Sequence, residues 1–194
     1  MERRVAVAGE ARGHPSALDR RMRIVGGRWG GRVIAAPCDS RVRPTADRVR
    51  EAWMSIVQRD LPDARVLDLC AGSGALGFEA LSRGAASADF VDVSAQSLNA
   101  LRKNARTLDA GDRAAIHRGD ALRFIEKLEP HAYDVAFADP PYTLDMAARV
   151  ARRWLEVPFA TILGIEHSAR EVLPQGQDVR RYGDTAITMY ECRE

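Results

Sequence analysis

From Arg65 to Glu166 short apolar runs alternate with segments of helical period, and that alternation leaves the chain very few folds. Arg65-Val66-Leu67-Asp68-Leu69 reads as a buried strand, followed by a glycine-rich turn and a helix around Ala75–Arg83. Ala88–Val93 is a second strand, and Ala95–Leu108 a helix with Leu98, Leu101, Ala105 and Leu108 on one face. Ala114–His117 is a third strand, followed by a helix carrying Leu122, Ile125 and Leu128. Tyr133–Ala138, a helix over Leu144–Leu155 and the strand Phe159–Glu166 complete the series. Repeated strand–helix units demand a parallel sheet covered on both faces. Val179–Tyr182 and Ala186–Tyr190, around Gly183-Asp184, alternate as a hairpin and add an antiparallel strand at one side. The expected class is α/β with a Rossmann-like, mostly parallel sheet.

The residues before Arg65 follow another logic. Residues 1–21 mix charge with Gly9, Gly13 and Pro15 and read as a flexible tail; Met22 stands as a second candidate start, and the sequence leaves that choice open. Arg23 to Ile34 has short β-branched pieces split by glycine pairs, the pattern of a small hairpin with its arginines outward. Pro37 and Pro44 bound a loop, and Thr45 or Asp47 caps a helix through Val49, Ala52, Trp53, Ile56 and Val57. Three units are expected: the tail 1–21, a hairpin extension 22–44, and the main domain 45–194.

Charge is uneven along the chain. The net charge is +2, yet residues 1–60 carry thirteen arginines against seven acids, an excess that attracts polyanions. The bland account is that arginine is simply this chain's usual cation, since only Lys103 and Lys127 are lysine. Hydrophobic content of 46% and charged content of 29% exclude a disordered or fibrous chain. No apolar run approaches the ~20 residues of a membrane span, and the N-terminus lacks the apolar core of a secretory signal. Three widely spaced cysteines argue against a disulfide framework or a zinc site, so a cytoplasmic protein without metal is expected.

The first turn carries the chemistry. In an open α/β sheet the ligand crevice lies beyond the carboxyl ends of the strands. Gly72, Gly74 and Gly77 fit G-x-G-x-x-G there, which alone points to a dinucleotide. Asp68, near the end of the strand, changes that reading. A carboxylate repels a pyrophosphate but welcomes an ammonium or sulfonium group, so the cradle suits S-adenosylmethionine. Asp92 follows the second strand, where a carboxylate binds ribose hydroxyls, and Asp120 follows the third, within reach of an adenine amine. Acids after strands also serve as helix caps.

Asp139-Pro140-Pro141-Tyr142 follows the fourth strand and opens into the same crevice. Two prolines fix the backbone and remove N–H donors, leaving carbonyls as pure acceptors. A carboxylate and a carbonyl that accept both N–H bonds of an exocyclic base amine favour the pyramidal nitrogen whose lone pair attacks. Tyr142 offers a flat surface for an extruded base.

These residues resemble the class I adenosylmethionine-dependent methyltransferases, and Asp-Pro-Pro-Tyr resembles their amino-methylating branch. Arg23-Ile24-Val25-Gly26-Gly27-Arg28-Trp29-Gly30-Gly31-Arg32, with Arg43-Pro44-Thr45-Ala46-Asp47-Arg48-Val49-Arg50-Glu51, resembles the RsmD family, which methylates guanine N2 in 16S rRNA. The resemblance covers about Met22 to Glu194. It implies a seven-stranded fold with one antiparallel strand and, as substrate, 16S rRNA or the small ribosomal subunit. By similarity Asp68, Ala71, Gly72, Ser73 and Gly74 hold the methionine end of S-adenosylmethionine, Asp92 and Val93 the ribose side, and Asp120 and Ala121 the adenine. S-adenosylhomocysteine is then the product. Asp139, Pro140, Pro141 and Tyr142 hold the target base. Thr45, Asp47 and Arg48 pack over cofactor and target, and Arg23, Arg28, Trp29, Arg32 and Arg43 meet RNA. A monomer is expected. Guanine N2 rests on the resemblance alone, since the same loop serves adenine N6.

Three rivals remain. Basic hairpins do not distinguish RNA from DNA, so a DNA methyltransferase is one. Its cytosine-C5 form needs a thiolate after proline, and Pro37-Cys38 lies before the cofactor motif rather than after strand four. A dehydrogenase using the three glycines is opposed by Asp68 and the prolines. A non-catalytic RNA-binding module is opposed by the full set from Asp68 to Tyr142. Trp29 between glycines either stacks a base or anchors the hairpin.

Overall fold

A computed structural model describes residues 22–37, 47–142 and 145–192. Arg43, Thr45, Cys38 and the tail 1–21 lie outside the described residues, as do the side chains of Asp47 and Arg48. The seven strands among the described residues are β1 (Arg65–Leu69), β2 (Ser87–Asp92), β3 (Ala114–Arg118), β4 (Tyr133–Ala138), β5 (Ala160–Ser168), β6 (Asp178–Tyr182) and β7 (Thr185–Glu191). They form one sheet in the order β3-β2-β1-β4-β5-β7-β6. Every pairing from β3 to β5 is parallel, and β7 runs antiparallel to both β5 and β6. The chain order reverses at β1 and β4, so their carboxyl ends border the crevice where such sheets take ligands.

Among the described residues five helices cover the sheet: α1 (Asp47–Val57), α2 (Ala75–Ser82), α3 (Ala95–Leu108), α4 (Ala121–Ile125) and α5 (Met146–Glu156). Strand alternation divides the interior into two cores. Val66 and Phe90 pack with Trp53, Phe78, Leu98 and Leu101 beneath α1, α2 and α3, whereas Leu67, Leu69 and Val91 pack with Ile125, Val150 and Trp154 beneath α4 and α5. Asp68 shares the period of Val66, which aims its carboxylate at the start of α2.

The helix after β3 is shorter than its apolar period predicts, ending at Ile125 and leaving Leu128 outside. Arg153 of α5 donates to the carbonyls of Ile125, Glu126 and Leu128 at 3.2–3.3 Å. Those bonds satisfy the groups a further helical turn would have used. No helix among the described residues is long and apolar enough to cross a membrane.

Residues 22–37 pair as a small hairpin, with Arg23 opposite Val33 and a 3-10 turn at Gly27–Trp29. Ile24, Trp29 and Ile34 are buried in the α2–α3 core, so the segment lies against the domain. Buried Glu79 of α2 fastens it, accepting the backbone N–H groups of Val25 and Gly26 at 2.7 Å each and ion-pairing with Arg83 at 2.9 Å. Asn104 of α3 exchanges hydrogen bonds with both backbone groups of Ala35 and also donates to the Ser73 carbonyl at 2.9 Å.

Candidate active site

The glycine turn joins β1 to α2 through left-handed backbone at Cys70, Gly72 and Gly74. A Cβ on Gly77 would stand 2.4 Å from the Phe90 ring. The bare glycine therefore lets α2 close onto β2, and its N–H donates to Asp68 Oδ2 at 2.9 Å. Asp68 is 2% exposed. Burial raises its pKa well above the ordinary carboxylate value against the pull of the Gly77 N–H, and the charges of Asp139 and Asp92 raise it further.

Asp92 accepts the N–H of Gly72 at 2.9 Å through one oxygen and that of Ser94 at 2.8 Å through the other. Asp120 caps α4 by accepting the Arg123 N–H at 3.0 Å. Asp120 thus performs the capping task that acids after strands commonly do, whereas α3 is capped by Ser94 and Asp92 instead ties the glycine turn to the start of that helix. The structure also gathers them: Cys70 stands in the combined field of Asp92, Asp139, Asp68 and Asp120. Burial first, and then those four carboxylates, push its thiol far above its usual range, so Cys70 is no nucleophile. A cluster of carboxylates beside a solvent-facing turn fits a cationic ligand, whose charge relieves their mutual repulsion.

Among the other residues expected at the cofactor, Ala71 donates its N–H to the Val91 carbonyl at 3.1 Å and Ala121 is buried at the start of α4. Val93, beside Asp92, is 61% exposed and offers an apolar surface next to the position expected to bind ribose. The Ser73 hydroxyl is directed to the sulfur of Met22 at 3.0 Å, and its carbonyl is taken by Asn104.

At the end of β4 the Asp139 N–H donates to the Leu69 carbonyl at 3.4 Å, tying the two central strands where the crevice opens. Pro140 is buried, while Pro141 and Tyr142 are exposed, Tyr142 at 39%. The Tyr142 hydroxyl lies 3.2 Å from Glu166 Oε1 and 3.0 Å from Thr185 Oγ1. Glu166 Oε2 accepts the Trp53 indole N–H at 3.4 Å. Burial raises the Tyr142 phenol to about 12. Burial and then the Asp139 charge raise Glu166, 6% exposed, to about 7.

Sequence reasoning passed over Glu166, Thr185 and the indole N–H of Trp53 as site groups. Glu166 carried a readable signal, an acid closing a buried apolar strand, the same pattern that singled out Asp68.

Of the residues expected to meet RNA, Arg23, Arg28 and Arg32 are exposed. Arg32 donates to the Thr107 and Leu108 carbonyls and so neutralises the C-terminal end of α3. Trp29 needs correction: at 3% exposure it anchors the segment in the core and presents no face to a base. Its glycine neighbours make the close approach to Ser82, whose hydroxyl accepts the Trp29 N–H at 2.9 Å.

A family model described as Conserved hypothetical protein 95 matches residues 22–191. The chain is similar to Ribosomal RNA small subunit methyltransferase D of Escherichia coli (strain K12), 43% identical over 122 residues. That alignment covers 62% of this chain and 60% of the relative, so the chain spans less than two thirds of it. The protein of the same name from Haemophilus influenzae is 30% identical over 177 residues, covering 87% of this chain and 91% of its own length. A solved Escherichia coli structure, the methyltransferase candidate yhhF, superposes with a TM-score of 0.76 at 30% identity, covering 89% of this chain and 99% of that one.

Proposed function

The chain belongs to the RsmD-type methyltransferase family, and on that premise we propose that it transfers a methyl group from S-adenosylmethionine to the exocyclic N2 amine of a guanine in 16S rRNA. The sheet has the Rossmann-like order of the class I methyltransferases, with its one antiparallel strand at β7. The observation that carries the reading is the meeting of Asp68, Asp92, Asp120 and Asp139 around the glycine turn.

S-adenosylmethionine supplies, when bound, an electrophilic methyl group on a positively charged sulfur. In this reading Asp68 holds the ammonium end, with Oδ2 fixed by Gly77. Asp92 orients the ribose hydroxyls beside Val93, and Asp120 borders the adenine. Asp139 and the carbonyl of Pro140 accept the two N–H bonds of the target amine, leaving its lone pair directed at the methyl group. Asp139 then takes up the proton that the methylated nitrogen sheds. Tyr142 stacks the base, its hydroxyl tethered by Glu166. The rate gain comes chiefly from positioning and charge stabilisation. The names of the relatives support an rRNA substrate, and guanine N2 rests on the family resemblance alone.

The test is a tritium-transfer assay with small ribosomal subunits, naked 16S rRNA and duplex DNA, each digested to nucleosides. Label in N2-methylguanosine from a ribosomal substrate is the expected result. Label only in DNA overturns the substrate.

A further inference from the structure

Trp29 is flanked by two arginines from different parts of the chain. The guanidinium carbons of Arg28 and Arg113 lie 5.4 and 5.1 Å from its ring centroid. Arg113 closes the 3-10 turn Gly111–Arg113 before β3, and Arg32 reaches the last carbonyls of α3. The N-terminal segment is thereby joined to the C-terminal end of α3 at two points. α3 buries Leu98, Leu101, Asn104 and Leu108 and turns Arg102, Lys103 and Arg106 outward.

Arg102 and Arg106 are spaced i, i+4, a like-charge pair that destabilises a helix. No acid lies within α3 to relieve it, since the helix reads AQSLNALRKNARTL. Among the described residues none of Arg28, Arg102, Lys103, Arg106 or Arg113 forms an ion pair. Asp109 and Asp112 are the acids nearest in sequence to Arg102, Lys103, Arg106 and Arg113, two against four cations. α3 starts just beyond Asp92, so at a rise of about 1.5 Å per residue its cations stand roughly 12–18 Å along the helix from the crevice.

We propose that the RNA-binding face continues from the N-terminal segment onto α3 and the turn before β3, where Arg102, Lys103, Arg106 and Arg113 meet backbone phosphates flanking the target base. The proposal rests on the rRNA reading above and extends its footprint. Phosphate contacts of this kind set register and affinity without reading sequence. Arg32, occupied by helix carbonyls, braces the face.

The test is the triple variant Arg102→Ala, Lys103→Ala, Arg106→Ala, with Arg149→Ala, Arg152→Ala on α5 as the control for general loss of positive charge. Binding to naked 16S rRNA is titrated across salt, beside S-adenosylmethionine binding and thermal melting. Each lost phosphate contact lowers the slope of log affinity against log salt by about 0.7, so the triple variant loses about 2 and binds at least roughly tenfold more weakly near physiological salt. Cofactor binding and melting stay at wild-type values, and the control pair keeps the wild-type slope.

An unchanged slope in the triple variant overturns the proposal, as does an equal loss in the control. Weakened binding to assembled subunits with unchanged binding to naked rRNA also overturns it and assigns the face to a ribosomal protein. A wild-type protein that transfers no label to rRNA brings down the functional reading itself. A triple variant indistinguishable from an active wild type brings down this inference alone.

Discussion

Glu166 and Asp139 stand one residue beyond a paired position, Ala138 opposite Ile165, on neighbouring parallel strands. Two carboxyl groups therefore face the crevice from β4 and β5, and the charge of Asp139 helps to hold the Glu166 proton up to about pH 7. When Glu166 is ionised, its oxygens accept Trp53 N–H and Tyr142 O–H. When it is protonated, it donates to Tyr142, which then donates to Thr185. Tyr142 is tethered in both states, with the hydrogen-bond chain running in opposite directions.

Glu166→Gln reproduces the protonated arrangement, with its amide N–H₂ toward Tyr142. Methyl transfer by this variant stays within a fewfold of wild type, and any step in the rate near pH 7 disappears. Glu166→Ala frees Tyr142 and strands the Trp53 indole, at a cost of about 1–3 kcal/mol. It raises KM for RNA more than it lowers kcat. A Glu166→Ala enzyme with wild-type KM removes Glu166 from the tether.

Glu166 also makes stability depend on pH. Its folded-state pKa, about 7, lies above the ordinary 4.5, so its stabilising contribution is complete below about pH 4.5 and is lost as pH rises through 7. Urea unfolding of wild type, compared with Glu166→Gln, therefore loses ground across that window and runs parallel above it. A constant difference from pH 4 to 8 contradicts the assignment.

Asp139→Asn leaves Tyr142, Pro140 and the glycine turn in place while removing the charged acceptor proposed for the target amine. Methyl transfer falls by about 10²-fold or more, and cofactor affinity changes little. Calorimetry and a single-turnover assay separate the two. Equal losses in both place Asp139 at the cofactor instead.

Asp68 is raised by burial, so part of its titration extends above the ordinary carboxylate range. A cationic ligand favours its ionised form, and binding releases a proton. S-adenosylmethionine affinity thus increases with pH through the Asp68 titration and then levels off. Asp68→Asn binds more weakly and loses that dependence. Binding heats measured in buffers of different ionisation enthalpy count the proton, and a count of zero in wild type at low pH refutes the link.

Glu79→Ala leaves the half-buried amides of Val25 and Gly26 without their acceptor and Arg83 without its partner. The expected loss is about 3 kcal/mol, read from urea unfolding. Limited proteolysis within 22–37 accelerates in parallel. A loss below about 1 kcal/mol excludes the clamp as a main support.

Much of the fold was readable because each strand and helix carries a local signal. Arg65–Leu69, Tyr133–Ala138 and Ala95–Leu108 have the bounds that their periods predict. The acids at strand ends were visible for the same reason, each adjoining its own strand. What lay hidden was long-range. Glu79 acts on residues 53 and 54 positions away, Asn104 on one 69 away, and Trp53 meets Glu166 across 113. No local pattern announces such partners. Trp29 was ambiguous because glycines on both sides permit either an open turn or a tight approach, and only the neighbouring α2 decides.

Asn104 is shut off from solvent, yet one carboxamide grips the carbonyl of Ser73 in the glycine turn and both backbone groups of Ala35. The turn that would cradle the cofactor and the strip that carries Arg28 and Arg32 therefore loosen or tighten together. Two ligands that draw on one such joint are linked: whichever arrives first changes the affinity of the other, by the same factor in either order of arrival.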